Sequence, residues 1–218
     1  MFKAVLIDID DTLCLTEEAC FNLENEVAVS MGFSPMTRAI HQKNWGKALE
    51  FAILERIPGI DADEFMKRVE QAIANKVYSG ALDTISEENL HALEILKKVG
   101  IKLAIVTSRS FVEAKHLLQE THPINNLIDA FYHKDNSEFL KPDPRVFNQA
   151  FIKFNVKPEE CVYLGDAIND AIAAKAAGMH FIAVLESGLK TKEDFAGYNV
   201  DYFTAKFADT TDYILNHD

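Results

Sequence analysis

Cysteine is scarce in this sequence: Cys14, Cys20 and Cys161 form an odd set, and none falls in a CxxC or zinc-ligand spacing. A disulfide framework and a thiolate zinc site are thereby disfavoured, and reduced thiols in a cytoplasmic protein are the expectation. Long apolar runs are lacking too, since no stretch approaches the roughly 18 residues that a membrane span needs. Positive charge is the third deficit: 22 Lys and Arg stand against 34 Asp and Glu, a formal net charge of −12. Such a chain has no general hold on nucleic acid or an anionic membrane, because phosphate backbones are gripped by clustered Lys and Arg. A phosphorylated ligand therefore needs local positive charge or a metal. Internal repeats and low-complexity linkers are absent. An apparent core strand starts within three residues of Met1, so no signal peptide is expected. The expectation is a soluble, cytoplasmic monomer.

What remains is a 218-residue chain whose 48% apolar content supports a sizeable core. "FKAVLIDI" reads as a short buried strand. Helical patterns follow. "TEEACFNLENEVAVSMG" has Thr16 as a candidate N-cap, two glutamates in its first turn and a stop at Gly32. "KALEFAILERIPG" and "DADEFMKRVEQAIANKVYSG" read as amphipathic helices closed by Gly59 and Gly80. From Ser86 helices alternate with strands: "SEENLHALEILKKVG", then strand "IKLAIV", helix "SFVEAKHLLQE", strand "AFYH" and helix "PRVFNQAFIKF". Strand "CVYL", helix "DAIAAKAAG", strand "HFIAVL", strand "VDYFTA" and helix "DTTDYILNH" complete the alternation. Alternating strands and helices imply a parallel sheet covered on both faces. The predicted class is α/β, a Rossmann-like parallel-sheet core of residues 1–14 and 86–218 with an all-helical insertion at 15–85.

Ligands of open parallel sheets bind beyond the carboxyl ends of the strands. The first strand ends in Asp8-Ile9-Asp10-Asp11-Thr12, "IKLAIV" in Thr107-Ser108-Arg109, and "CVYL" in Gly165-Asp166 with Asp170 four residues on. Residues two apart in an extended chain point the same way, so Asp8 and Asp10 can converge. A helical turn after Gly165 would put Asp166 and Asp170 on one face. Four carboxylates at one rim demand a counter-charge. A hard divalent cation with oxygen ligands supplies it, and Mg²⁺ suits few carboxylates, several waters and a substrate phosphate. Zinc is disfavoured, as no His or Cys sits at these strand ends. Lys141, in the "FLKPDP" loop, is a cation able to approach from the side, with Pro142 biasing its backbone toward extended geometry.

"DIDDTL", "VTSR", "LKPDP" and "GDAIND…AAGM" together resemble, in order and spacing, the four signatures of the haloacid dehalogenase superfamily. The likeness covers essentially all of the core. The helical insertion resembles the C1-type cap of the phosphoglycolate phosphatase and β-phosphoglucomutase branch. A lone D-x-D-x-T is weak evidence, whereas four signatures in order, each at a strand end or in the expected loop, are specific.

The resemblance implies a Mg²⁺-dependent phosphatase acting on a small phosphorylated metabolite. It makes Asp8 the nucleophile that forms an aspartyl-phosphate and Asp10 the general acid and base. Thr107 and Ser108 would bind the transferring oxygens, with Lys141 offsetting their charge. Asp8, the backbone carbonyl of Asp10, Asp166 and Asp170 would hold the metal, Asp170 either directly or as an anchor. A carboxylate suits this chemistry because it is ionised at pH 7 without an activating base. An acid at Asp10 points to phosphate esters, since halide needs no proton when it leaves. Two departures stand out: Asp11 where relatives commonly have Gly, and Leu15 where they often have Asp. Asp11 is expected to cap the turn. In the cap, "HQKNWGKALE" is the candidate specificity loop, through Trp45, Lys47 or Lys43, and Arg38 in "SMGFSPMTR" is a second candidate. Packing for Trp45 and a solvated face for the lysines are the competing readings. The seven histidines show no pairing and are expected to serve packing or solvent. The alternatives are a β-phosphoglucomutase-like phosphosugar mutase, which uses the same residues, and a phosphometabolite-binding protein with slow turnover.

Overall fold

The computed structural model describes residues 1–78 and 83–217. The predicted stop at Gly80 lies outside them. Among the described residues, one parallel sheet is built from β1 (Ala4–Ile7), β2 (Lys102–Val106), β3 (Ala130–Tyr132), β4 (Cys161–Gly165), β5 (His180–Val184) and β6 (Tyr202–Thr204). Its strand order is β3-β2-β1-β4-β5-β6. The run of branched and small apolar residues in β1 is buried throughout, as a central strand covered on both faces requires. Ile7 is in register with Ile105 of β2 and Leu164 of β4, so three strand ends meet at one level.

The period of two in each strand sorts the core into two layers. Val5, Ile7, Leu103, Ile105, Val162 and Leu164 pack on one face, with Leu93 and Leu96 of α5 (Glu87–Lys98) and Ile214 of α9 (Thr210–Asn216). Ala4, Leu6, Ala104, Val106 and Tyr163 pack on the other, with Ala150 of α7 (Asn148–Phe154) and Ala171 and Ala174 of α8 (Ile168–Ala176). Asp8 continues the parity of Ala4 and Leu6, toward the α7 and α8 side. Ser86 caps α5 by accepting from Asn89 N–H.

Between β1 and α5 run α1 (Glu17–Ser30), α2 (Arg38–Lys43), α3 (Leu49–Arg56) and α4 (Ala62–Tyr78). Leu23, Val27, Ile53, Phe65, Val69 and Ile73 give these helices an apolar cluster of their own. Three local expectations are corrected. Thr16 occupies the N-cap position of α1 but makes no side-chain cap; Asp11 Oδ1 accepts from the backbone N–H groups of Thr16 and Glu17 instead. Asp11 adopts φ 54°, the left-handed region, which an Asp tolerates better than most residues and which bends the chain back over the helix start. The "HQKNWGKALE" segment begins as the short helix α2, where Thr37 accepts from Ile40 N–H, rather than as a loop. The "SFVEAKHLLQE" helix is regular only over α6 (Phe111–Ala114), which Ser110 and Glu113 close with a capping box.

Candidate active site

The carboxyl ends of β1, β2 and β4 enclose a cleft of about 690 Å³, its open mouth included, lined by Asp8, Asp10, Ser108, Lys141, Asp166 and Asp170. Asp8 is fixed at the end of β1 by its backbone N–H, which donates to the carbonyl of Leu164 at 2.9 Å. The Lys141 ammonium lies 3.0 Å from Asp8 Oδ1 and 2.8 Å from Asp170 Oδ1. It also donates to the hydroxyl of Tyr163 at 3.0 Å, and that hydroxyl donates to the carbonyl of Val106 at 2.9 Å. A buried Tyr on β4 thus anchors the lysine that the sequence placed in a loop. The Lys141–Pro142 peptide is cis.

Asp166 follows β4 directly. Asp170 sits in the first turn of α8, where its Oδ2 accepts from the backbone N–H of Ala167 at 3.0 Å. Asp170 thus caps a helix and stands in the carboxylate cluster at once. Gly165 makes this possible, because a Cβ there would come within 2.5 Å of Asp170 Oδ2.

Ligand oxygens of Asp8, Asp166 and Asp170 lie within 4.8 Å of one another, and all three residues are buried. Among the described residues, Asp166 receives only a long 3.4 Å contact, from the Thr12 hydroxyl. Three buried carboxylates face a single ammonium, which leaves two negative charges. Burial is the largest influence on Asp8, and although Lys141 pulls the other way, Asp170 and Asp10 help push its carboxyl up to about 7. Burial, then the charges of Asp170 and Asp8, drives Asp166 well above the usual carboxylate range. An all-oxygen donor set with that charge deficit fits a hard divalent cation.

Asp10 is bound differently. Its Oδ1 accepts from the Thr16 hydroxyl at 2.7 Å and from Arg109 Nη2 at 2.6 Å. Sequence reasoning had Arg109 in view at the end of β2 without a role for it. Its partner Asp83, in the connection before α5, gave no local signal. Thr107 is buried, with its hydroxyl accepting from the backbone N–H of Arg109 at 3.2 Å, and Ser108 beside it lines the cleft.

The helical segment closes the cleft with Gln42, Trp45 and Gly46. Trp45 Nε1 donates to Asp11 Oδ2, so the indole is tied to the turn that carries Asp10. Lys47 lines an adjoining cleft with Asp10, Trp45 and Arg109, and its ammonium pairs with Glu55 at 3.0 Å. Arg38 pairs with Glu17, and Lys43 is exposed. Leu189 and Lys190, beyond β5, reach the mouth from the sheet side.

The family model for haloacid dehalogenase-like hydrolases matches residues 5–184, which takes in every one of these strand ends. The chain belongs to that family. Its curated relatives include a phosphoglycolate phosphatase of Nitrosospira multiformis, 28% identical over 188 residues that cover 84% of this chain and 82% of that one. Protein CbbY of Cereibacter sphaeroides is 28% identical over 216 residues, 90% of either chain. A haloacid dehalogenase-like structure from Bacteroides fragilis superposes with a TM-score of 0.81 at 25% identity, covering 96% of this chain and all of that one. The chain is an enzyme of the family's phosphoglycolate phosphatase-like branch, as its four signatures and its helical insertion together implied.

Proposed function

We propose that this family member is a Mg²⁺-dependent phosphomonoesterase that hydrolyses a small phosphorylated metabolite through an aspartyl-phosphate on Asp8. The observation that carries the reading is the buried Asp8, with Lys141 3.0 Å away and the Asp166 and Asp170 ligand oxygens within 4.8 Å. Asp8, Asp166, Asp170 and the backbone carbonyl of Asp10 would hold the cation. When bound, it neutralises the carboxylates and the phosphate oxygens so that two anions can approach.

In this reading Asp8 attacks phosphorus while the ester oxygen leaves. Asp10 gives that oxygen a proton, then takes one from the water that opens the aspartyl-phosphate; one carboxyl serves both steps in turn. The Thr107 hydroxyl and the backbone N–H groups near Asp10 and Ser108 bind the transferring oxygens, and Lys141 offsets their charge. Residues 15–85 act as a cap over residues 1–14 and 86–218. Their separate apolar cluster supports that division. Trp45, with Gln42 beside it, contacts the leaving group, and Lys47 the group's outer end. Names of relatives support a metabolite as substrate, phosphoglycolate among the first to try.

A panel of phosphate esters assayed with and without Mg²⁺ tests this, with isomer formation followed beside phosphate release. Release that depends on Mg²⁺ and vanishes in Asp8→Asn supports the proposal. Hydrolysis retained by Asp8→Asn would sink the mechanism.

A further inference from the structure

We infer that Arg109 is the positioning residue for Asp10, and that Asp83 aims it from the chain connection on the far side of the helical segment. The inference rests on Asp10 being the proton donor proposed above.

Arg109 is buried, and its guanidinium is divided between two carboxylates. Nε and Nη2 donate to Asp10 Oδ2 and Oδ1 at 3.0 and 2.6 Å. Nη1 and Nη2 donate to Asp83 Oδ2 and Oδ1 at 2.5 and 2.8 Å. The planar fork fixes both carboxylates in one orientation, which a lysine ammonium cannot do. His116 Nε2 lies 2.5 Å from Asp83 Oδ2 and holds Asp83 from behind. Burial would raise the Asp83 carboxyl, yet the Arg109 charge and the bonds from Arg109 and His116 outweigh it and hold Asp83 well below the usual range.

The two oxygens of Asp10 are not equivalent. Oδ1 accepts from both Thr16 and Arg109, and also lies 3.2 Å from Arg109 Nε. Oδ2 accepts, among the described residues, from Arg109 Nε alone. A carboxylate oxygen has two lone-pair sites, so Oδ2 keeps one for a proton while Oδ1 is fully engaged. Arg109 and Thr16 together leave Asp10 a single oxygen for proton transfer. As the bond from Asp8 to phosphorus forms and the ester bond breaks, the proton on Oδ2 passes to the leaving oxygen, and Oδ2 later recovers one from the attacking water.

The anchoring also has a topological sense. Thr16 lies in the connection from β1 to α1, and Asp83 in the connection from α4 to α5. These are the two passages between the sheet and the helical segment. Asp10 is therefore held from both, so its placement depends on how the helices sit on the sheet.

The test compares kcat/KM on two esters: p-nitrophenyl phosphate, whose leaving group needs no proton, and an alkyl phosphate (2-phosphoglycolate, or the fastest alkyl ester of the panel). Asp10→Asn calibrates the experiment and should lose on the order of 100-fold or more on the alkyl ester, and far less on the aryl one. Arg109→Lys keeps the charge and Asp83→Asn keeps the shape, so at least one should fold, as melting temperature will show. Each should lose about tenfold more on the alkyl than on the aryl ester. Equal losses on both esters, or none, would reduce Arg109 and Asp83 to structural partners and overturn the inference. If Asp10→Asn shows no bias between the esters, Asp10 is not the acid, and the proposal falls with that role. Bias in Asp10→Asn alone leaves the proposed reaction standing and removes only Arg109.

Discussion

Two buried ionic clusters, one at the strand ends and one inside the helical segment, are built on opposite accounts of charge. In the helices, Glu24 meets Arg56 at 2.6 Å and His41 at 3.2 Å, while Glu17 meets His41 at 2.9 Å and Arg38. Each carboxylate has basic partners. Burial would raise the Glu17 carboxyl, but its bonds from Arg38 and His41 prevail and lower it. At the strand ends Asp8, Asp166 and Asp170 share one ammonium, and the Asp8 and Asp166 carboxyls are pushed up instead. A cluster that closes its own charge needs nothing from outside and fixes geometry, here that of α1, α2 and α3 against each other. One that leaves charge open is stable as anions only when a cation arrives, which is the property the proposed site would use.

The comparison can be broken most sharply at Asp8. Asp8→Asn should reduce phosphate release by at least ~10³-fold, since no other group would replace the proposed nucleophile. The same change should raise the melting temperature of metal-free protein at pH 8, because it removes one of the repelling anions; a lowered melting temperature would contradict the open-charge account. Glu24→Gln does the reverse, stranding the buried Arg56 without its carboxylate while His41 keeps Glu17. A loss of about 3 kcal/mol in urea unfolding is expected, and a change near zero would show that the helical cluster is not closed by charge. Gly165→Ala forces Asp170 from its cap, and calorimetric Mg²⁺ affinity should fall by roughly 10-fold or more.

The pH response separates the clusters further. Asp8, with its carboxyl near 7 when folded and 3.8 when unfolded, binds more protons in the folded state across that interval. Metal-free stability should therefore fall as pH rises from about 4 to 7 and level off above, read as a falling melting temperature. Saturating Mg²⁺ should flatten the slope, and a slope unchanged by metal would separate the titration from the proposed site. Trp45→Phe is the mildest probe. Losing the bond to Asp11 should cost about 1 kcal/mol and shift KM more than kcat; an unchanged KM would remove Trp45 from the substrate's path.

The local chain carries much of this. Asp8, Asp10, Ser108, Asp166 and Asp170 were legible because parallel strands must end at a common rim, and the spacing of each aspartate from its strand fixes where it lands. Asp11 was legible as a capper, although its bond to Trp45, 34 positions away, was not. Short-range patterns misplaced elements where tertiary contacts override propensity, as in the shortened α6 and the helical start of the Trp45 segment. Tyr163 is one residue of the predicted strand "CVYL", and only the folded sheet sets its hydroxyl between Lys141 and Val106.

The sequence by itself determined the class of fold and which carboxylates reach the common rim, because these follow from hydrophobic period and from fixed offsets along single strands, while its four signatures carried the resemblance to the family. Tertiary structure decided the charge accounts. Whether a buried acid is paired depends on residues such as Asp83 and Arg109, which stand 26 positions apart in the chain. No local spacing specifies such a pair, and only the docking of the helices on the sheet brings it together.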